Sequence, residues 1–240
     1  MLGIDLRVTS VKVVEAVKQD SGFVIETWGM TEVPYQLLDK HPQFEEAKAD
    51  ALRKIVQFNK MKSSDVIVVV GGAETFVKLF TLSEMPRSEA IQAIKWKFAE
   101  EIPFPIDEAL FDFYALPKGS AVTEKVDYVA ACISKKLFNE TQMIIKLAGL
   151  NLAGITVLPE ALQELYKEEL SRGGEKIISI IYMGKRTTNI SLYRSGNFEF
   201  NRELSIGGEN ITLAMSGILI TPEGKVEITP EQAEKIKTEH

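Results

Sequence analysis

Side chains able to do chemistry are few in this chain, and most stand alone. The single cysteine, Cys132, lies inside the apolar run Tyr128-Val129-Ala130-Ala131-Cys132-Ile133. It has no partner for a disulfide within the chain, which points to a reducing compartment and a small core residue rather than a catalytic thiol. His41 and His240 accompany no Ser or Cys nucleophile motif, and no His/Cys group has metal-ligand spacing. Triads and zinc sites are therefore unsupported. Glu100 and Glu101 resemble an acid/base pair on paper, but adjacent helical residues project about 100° apart and do not face each other. The better chemistry sits beside turns. Arg7 and Lys12 flank one, Lys185 and Arg186 another, and turn amides with nearby cations suit an anion such as phosphate.

The elements that must position these residues are legible from their periodicity. Leu2 to Val8, Val11 to Val17 and Phe23 to Met30 alternate as strands, with a turn at Asp20-Ser21-Gly22, and predict a three-stranded antiparallel meander. Glu45 to Asn59 carries Ala47, Ala51, Leu52, Ile55, Val56 and Phe58 largely on one face and predicts a helix. Val66 to Val70 is a continuous apolar run, the pattern of a strand buried on both faces. From Thr75 the order becomes β-α-β-β-α-β, as in a ferredoxin-like insert: strands at 76–82, 109–116, 125–133 and 154–158, helices at 88–101 and 135–148. Within it, Ile91, Ile94, Trp96, Phe98, Ile102, Phe104 and Phe111 are expected to pack as the insert's core, a peptide groove being the alternative for any left exposed. A helix from Glu160 to Leu170 and the linker Arg172-Gly173-Gly174 follow.

The opening unit then returns. Strands at Lys176 to Met183, Thr187 to Tyr193 and Phe198 to Leu204 form a second meander turning at Ser195-Gly196, and Gly207-Gly208 leads into an apolar helix. Overlaying the two meanders matches Asp5 with Tyr182 and the Gly22 turn with the Gly196 turn. A duplicated meander flowing into a helix makes two lobes with a cleft between them. A hairpin around Gly224 and a helix from Pro230 to Lys237 end the pattern.

Composition limits the function classes. The chain has 240 residues, 45% hydrophobic and 26% charged, enough for a substantial core. Net charge is −6 and the cations are scattered, so the concentrated basic face that nucleic acid requires is lacking. The chain starts directly on strand residues, and no window approaches the roughly 18 to 20 consecutive apolar residues of a membrane span. Direct membrane insertion is not expected of these residues.

The duplicated meander resembles the ribonuclease-H-like fold of the actin superfamily. More narrowly, Ser10-Val11-Lys12-Val13-Val14-Glu15, the Glu101-Ile102-Pro103-Phe104-Pro105 stretch and Gly207-Gly208-Glu209-Asn210-Ile211-Thr212 resemble the PilM family of type IV pilus assembly, and more distantly the GspL cytoplasmic domain of type II secretion. The resemblance implies an α/β, two-lobed fold: a first lobe of 1–82 plus 159–172, a ferredoxin-like inserted subdomain at 83–158, and the start of a second lobe at 173–240. It implies a cytoplasmic protein, peripheral to the inner membrane through its partners. Those partners are the cytoplasmic tail of a PilN-like membrane protein and the assembly ATPase; a homodimer is left open.

The same resemblance implies a phosphate site and shows where this chain departs from it. The first actin-type hairpin reads Asp-x-Gly-Ser, with Lys seven residues after the Asp. Asp5 and Lys12 keep that spacing and Thr9 and Ser10 offer hydroxyls, but Arg7 and Val8 replace the Gly and Ser. The second hairpin reads Asp-x-Gly; here Tyr182-Met183-Gly184 keeps only the glycine, and magnesium prefers carboxylate oxygens. The residues expected near any nucleotide are Asp5, Thr9, Ser10, Lys12, Gly184, Thr187, Thr188, Gly207 and Gly208. No catalytic residue and no cofactor is expected, with ATP and magnesium held as the alternative. Arg7 is expected to fill the phosphate space and lock the lobes. The end at His240, before an adenosine-binding segment, fits either a piece of a longer protein or a shortened GspL-like domain. A non-catalytic scaffold is thus the leading expectation, and an actin-like ATPase with nucleotide-gated assembly the alternative.

Overall fold

The computed structural model describes residues 1–7, 9–20, 22–33, 43–117, 124–221 and 224–239. Val8, Ser21, His41 and His240, named above, lie outside the described residues. The first meander is present: β1 (Leu2–Leu6), β2 (Ser10–Gln19) and β3 (Gly22–Glu32) pair antiparallel in sequence order. Helix α1 (Phe44–Phe58) crosses over to β4 (Asp65–Val70), which pairs parallel to β1. With β8 (Asn151–Val157) added beside β4, the sheet order is β3-β2-β1-β4-β8. The side chains of Leu2, Ile4, Val11, Val13, Val66 and Val68 are buried on one face with Leu52 and Ile55 of α1. Helix α3 (Lys135–Leu147) adds Ile144 and Ile145.

Strand β4 differs from its expected double burial. Val66, Val68 and Val70 are buried but Ile67 is 36% exposed, because among the described residues α1 and α3 add their buried side chains on one side only. One buried carboxylate also enters this layer. Glu15 on β2 accepts the backbone N–H groups of Lys62 (3.0 and 3.2 Å) and Ser63 (2.8 Å), tying the α1–β4 connection to the meander.

The second sheet is smaller than expected. Strands β5 (Thr75–Ser83), β6 (Ala109–Ala115) and β7 (Lys125–Ser134) pair antiparallel in the order β5-β7-β6. Helix α2 (Arg87–Ala99) covers one face with Ala90, Ile94 and Phe98, against Phe80, Phe113 and Cys132. The ferredoxin-like reading of the whole β-α-β-β-α-β run is therefore corrected. Its last strand, β8, hydrogen-bonds to β4 in the large sheet, and α3 packs on α1 and β8, so only β5, α2, β6 and β7 form the small unit. A parallel partner with an unpaired apolar edge outcompeted closure of a fourth strand. The aromatic cluster is core as expected, with Ile94, Phe98 and Ile102 buried and Phe80 and Phe98 edge-to-face at 5.2 Å. Trp96 is the exception, 75% exposed.

The expected helix over 160–170 is split into α4 (Leu158–Leu165) and α5 (Lys167–Arg172). The second meander follows as β9 (Ile177–Met183), β10 (Thr188–Arg194) and β11 (Asn197–Leu204), then α6 (Gly208–Met215). The hairpin expected around Gly224 is β12 (Gly217–Thr221) with β13 (Gly224–Ile228), and α7 (Pro230–Glu239) packs on α6. Two polar ties hold α4 to the second meander: Tyr193 Oη donates to Pro159 O (2.6 Å) and Gln163 Nε2 to Gly196 O (2.8 Å).

Candidate functional site

The first hairpin turn is closed by Arg7 N donating to Ser10 O (2.9 Å), and Thr9 O accepts from Val33 N (2.9 Å). Asp5 stands opposite Lys12 in the β1–β2 register, and the Lys12 side chain is exposed. The Asp5 carboxylate is occupied by other groups. Arg7 Nε lies 2.6 Å from Asp5 Oδ1, each side chain being only 20% exposed. Neither atom gains a directed hydrogen bond, so the contact is Coulombic. Tyr182 Oη donates to Asp5 Oδ2 at 3.3 Å, and Arg7 Cζ sits 4.8 Å from the Tyr182 ring centroid. The residue that the internal repeat matches to Asp5 thus touches it. Arg7 also presses on the end of β4, where a Cβ added to Gly71 would lie 3.1 Å from its Nη1. Asp5, Arg7 and Tyr182 thus form one cluster that links the two hairpins.

The second turn is self-contained in the same manner. Gly184 N donates to Thr187 O (2.8 Å), and the buried Thr188 hydroxyl donates to Ile206 O (2.6 Å). The opening amides of α6, which would face an anion, are already bonded. Gly208 N donates to Gly184 O (3.0 Å), Glu209 N to Lys185 O (2.8 Å) and Gly207 N to Asn210 Oδ1 (2.9 Å). Gly207 is required by this approach, since a Cβ there would sit 2.5 Å from Lys185 O. Lys237 Nζ on α7 donates to Gly208 O (3.1 Å) and Thr212 Oγ1 (2.9 Å). The structure therefore brings Gly184, Thr187, Thr188, Gly207 and Gly208 together in one junction. Asp5 sits in the neighbouring one with Arg7 and Tyr182, while Thr9 and Ser10 take part through their carbonyls and Lys12 stands apart on the β2 surface.

Titration of the remaining reactive groups follows burial. The Cys132 thiol is pushed up to about 11 by its apolar surroundings, in line with a core role. Glu101 forms an ion pair with Lys78 at 2.8 Å instead of facing Glu100. No group of three or more His, Cys, Asp or Glu side chains among the described residues could hold a metal ion. No helix of the described residues is long and apolar enough to cross a membrane.

A larger concave feature lies elsewhere among the described residues. A groove of about 380 Å³ runs between β6 and β8, lined by Leu110 and Phe111 on one side, Leu152 and Ile155 on the other, and Phe138 and Ile133 between. It continues into a cleft of about 220 Å³ lined by Tyr114, Thr156, Glu160 and Gln163, with Asp112 shared by both. β6 and β8 each end their sheet, so two strand edges without a partner among the described residues border it. Sequence reasoning touched this groove only at Phe111, through the peptide-groove alternative, and missed its other walls. Leu110 and Ile133 read as ordinary strand residues, and only the alternation Leu110-Asp112-Tyr114 on one face of β6 hinted that this face was not wholly core.

Comparisons with known proteins agree with this architecture. The family model of the type IV pilus assembly protein PilM matches residues 3–240. A chain of a PilM–PilN type IV pilus biogenesis complex is similar at 20% identity and a TM-score of 0.83, over 99% of this chain and 68% of that one. The ethanolamine utilization protein EutJ from Carboxydothermus hydrogenoformans is similar at 13% identity and a TM-score of 0.52, over 99% and 60%. The cytoplasmic domain of EpsL, an inner-membrane component of the Vibrio cholerae type II secretion system, is similar at 9% identity and a TM-score of 0.51, over 99% and 93%. At such identities these structures speak for the fold, which is actin-like; the family match along nearly the whole sequence does more, and the chain belongs to the PilM family of type IV pilus assembly proteins.

Proposed function

We propose that this chain is a non-catalytic scaffold of a type IV pilus or type II secretion inner-membrane platform, cytoplasmic and peripheral to the membrane through its partners. It binds the extended cytoplasmic tail of a PilN-like membrane protein and links it to the assembly ATPase. One observation carries this reading: the apolar groove bordered by the free edges of β6 and β8. An extended tail adds to such an edge through main-chain hydrogen bonds, while pockets take alternate side chains. The likeness to a chain from a PilM–PilN complex supports the partner class.

The hairpin junctions support the non-catalytic half. A phosphate chain with magnesium does not fit the residues present. Arg7 and Tyr182 fill the space around Asp5, Tyr182 supplies no carboxylate for a metal, and the α6 amides are bonded to the 184–185 turn. Isothermal titration with Mg-ATP should give no heat at micromolar concentrations, and micromolar binding with phosphate release would establish the actin-like ATPase reading instead. For the scaffold, fluorescence polarisation of a PilN-like tail peptide should show saturable binding that Leu110→Asp and Leu152→Asp each weaken at least about tenfold; indifference to both removes the groove assignment.

A further inference from the structure

The first meander runs past the sheet it belongs to. β1 pairs with β2 only as far as Leu2–Glu15, whereas β2 and β3 stay paired out to Gln19–Gly22. The outer part is therefore a two-stranded ribbon, and such a ribbon alone is marginal in water. It is also apolar on both faces. Val17 and Val24, opposite each other, are exposed on one, and Phe23 and Ile25 on the other. β3 ends the five-stranded sheet, so its 11 residues offer an edge with no partner strand among the described residues. Of the devices that blunt natural edges, proline, lysine and shortness are all absent from Gly22–Glu32. Its bulge serves another end. Trp28 stands opposite Val14 and Ile25 opposite Ala16, the extra residue being Glu26, so Phe23, Ile25, Trp28 and Met30 all share one face. All four are exposed, Phe23 at 74% and Trp28 at 69%.

We propose that β3 pairs antiparallel with β3 of a second copy of this chain, across a two-fold axis between Glu26 and Thr27, joining the two five-stranded sheets into one. The pattern of the strand selects this occupant. In that register Phe23 faces the partner's Met30 and Ile25 faces the partner's Trp28, and symmetry repeats both pairs. No other axis along β3 matches all four residues with one another. A foreign strand would need no such self-match. The two bulged segments lie opposite each other, so the extra residue of one strand is met by that of the other and the count is kept. Charge fits as well, because Glu26, the one charge between Gly22 and Thr31, falls opposite the partner's Thr27. The area is sufficient. With roughly 150–250 Å² per aromatic side chain, the four rings of Phe23 and Trp28 in two copies leave roughly 400–700 Å² to cover. Val24, Ile25, Met30 and the two backbone edges bring the total to the low end of a stable interface, about 1,200 Å².

Sedimentation equilibrium of the 240-residue chain tests this, and a reversible dimer is expected at micromolar concentrations. Ile25→Lys and Trp28→Lys should each raise its Kd at least about tenfold. Their circular dichroism should stay unchanged, because both side chains are exposed. Ile181→Lys, on the exposed edge strand β9, should leave the Kd as it is. Cysteine cross-linking then reads the register, since the single native cysteine, Cys132, is buried. Opposite residues of an antiparallel pair lie about 4.5–5.5 Å apart at Cα, within the reach of a disulfide. Identical residues in this register stand three positions apart, about 10 Å along the strand, and are out of reach. A mixture of Ile25→Cys and Trp28→Cys chains should therefore cross-link at least about fivefold more than either variant alone. A chain that stays monomeric up to about 100 μM overturns the proposal and leaves the edge to a different protein. A dimer indifferent to both lysine variants places self-association elsewhere, and cross-linking no better in the mixture denies the register; either result overturns it.

Discussion

At the scale of single residues, two substitutions account for the character of the hairpin junctions. Arg7 stands where an actin-type turn would need a residue without a side chain, and Tyr182 where it would need a carboxylate. Together they give Asp5 a cation and a hydroxyl from within the chain. Arg7→Gly removes the cation and its stacking on Tyr182, and differential scanning calorimetry should show a lower melting temperature. Unchanged melting and unchanged nucleotide affinity would deny Arg7 its bridging role. Tyr193 makes a second, better defined prediction. Burial pushes its hydroxyl up to about 12 while it donates to Pro159 O. Because the folded-state value is raised, the stability tied to the neutral phenol is complete below pH about 10 and is lost as pH climbs toward about 12. Tyr193→Phe should cost about 1–2 kcal/mol at neutral pH in urea titrations. It should also flatten the alkaline decline, and an unchanged decline would assign it to other groups.

The elements were the most legible level of this chain, for a physical reason. Strand and helix periods write themselves into α1, β2 and both meanders, because one face of each must be apolar. Pairing is a different matter. β8 reads identically whether it closes a ferredoxin-like sheet or joins β4, and the choice depends on which unpaired edge lies nearest in space. The same limit hid the groove, since edges facing across a gap leave no periodic trace. Arg7, Val8 and Tyr182, by contrast, were visible as departures because the expected residue types at those turns are so restricted. Two predictions belong to elements. Gly207→Ala forces a methyl to within 2.5 Å of Lys185 O, and should cost about 1–3 kcal/mol and loosen α6 from the second turn, visible as faster amide exchange at Gly208 and Glu209. Glu15→Ala leaves the Lys62 and Ser63 amides without their acceptor, and a stability loss of about 2–3 kcal/mol is expected in the same urea titrations. A loss under 0.5 kcal/mol, within the scatter of surface changes, would mean that water replaces the carboxylate.

On the scale of the whole molecule, the second meander is held to the first lobe through a handful of polar ties, among them Tyr182 to Asp5 of β1 and Tyr193 to Pro159 of α4. Contacts that hold one docking surface do not act independently. Loss of either leaves the other to keep the lobes together, whereas loss of both releases them. The Arg7→Gly/Tyr193→Phe double variant should therefore lose more stability than the sum of the single variants, by at least about 0.5 kcal/mol. Strict additivity would show that each tie acts only on its own surroundings.

The borders of the groove belong to different sheets, β6 to the small one and β8 to the large one. Whatever occupies it consequently measures the gap between those sheets, like the jaws of a caliper. An occupant that prefers one gap shifts the population of gaps toward it, and any contact elsewhere that sets the gap changes the occupant's affinity by the same factor. A change to the segments that connect the two sheets, Gly71 to Glu74 and Ser134, would then register as a change in binding.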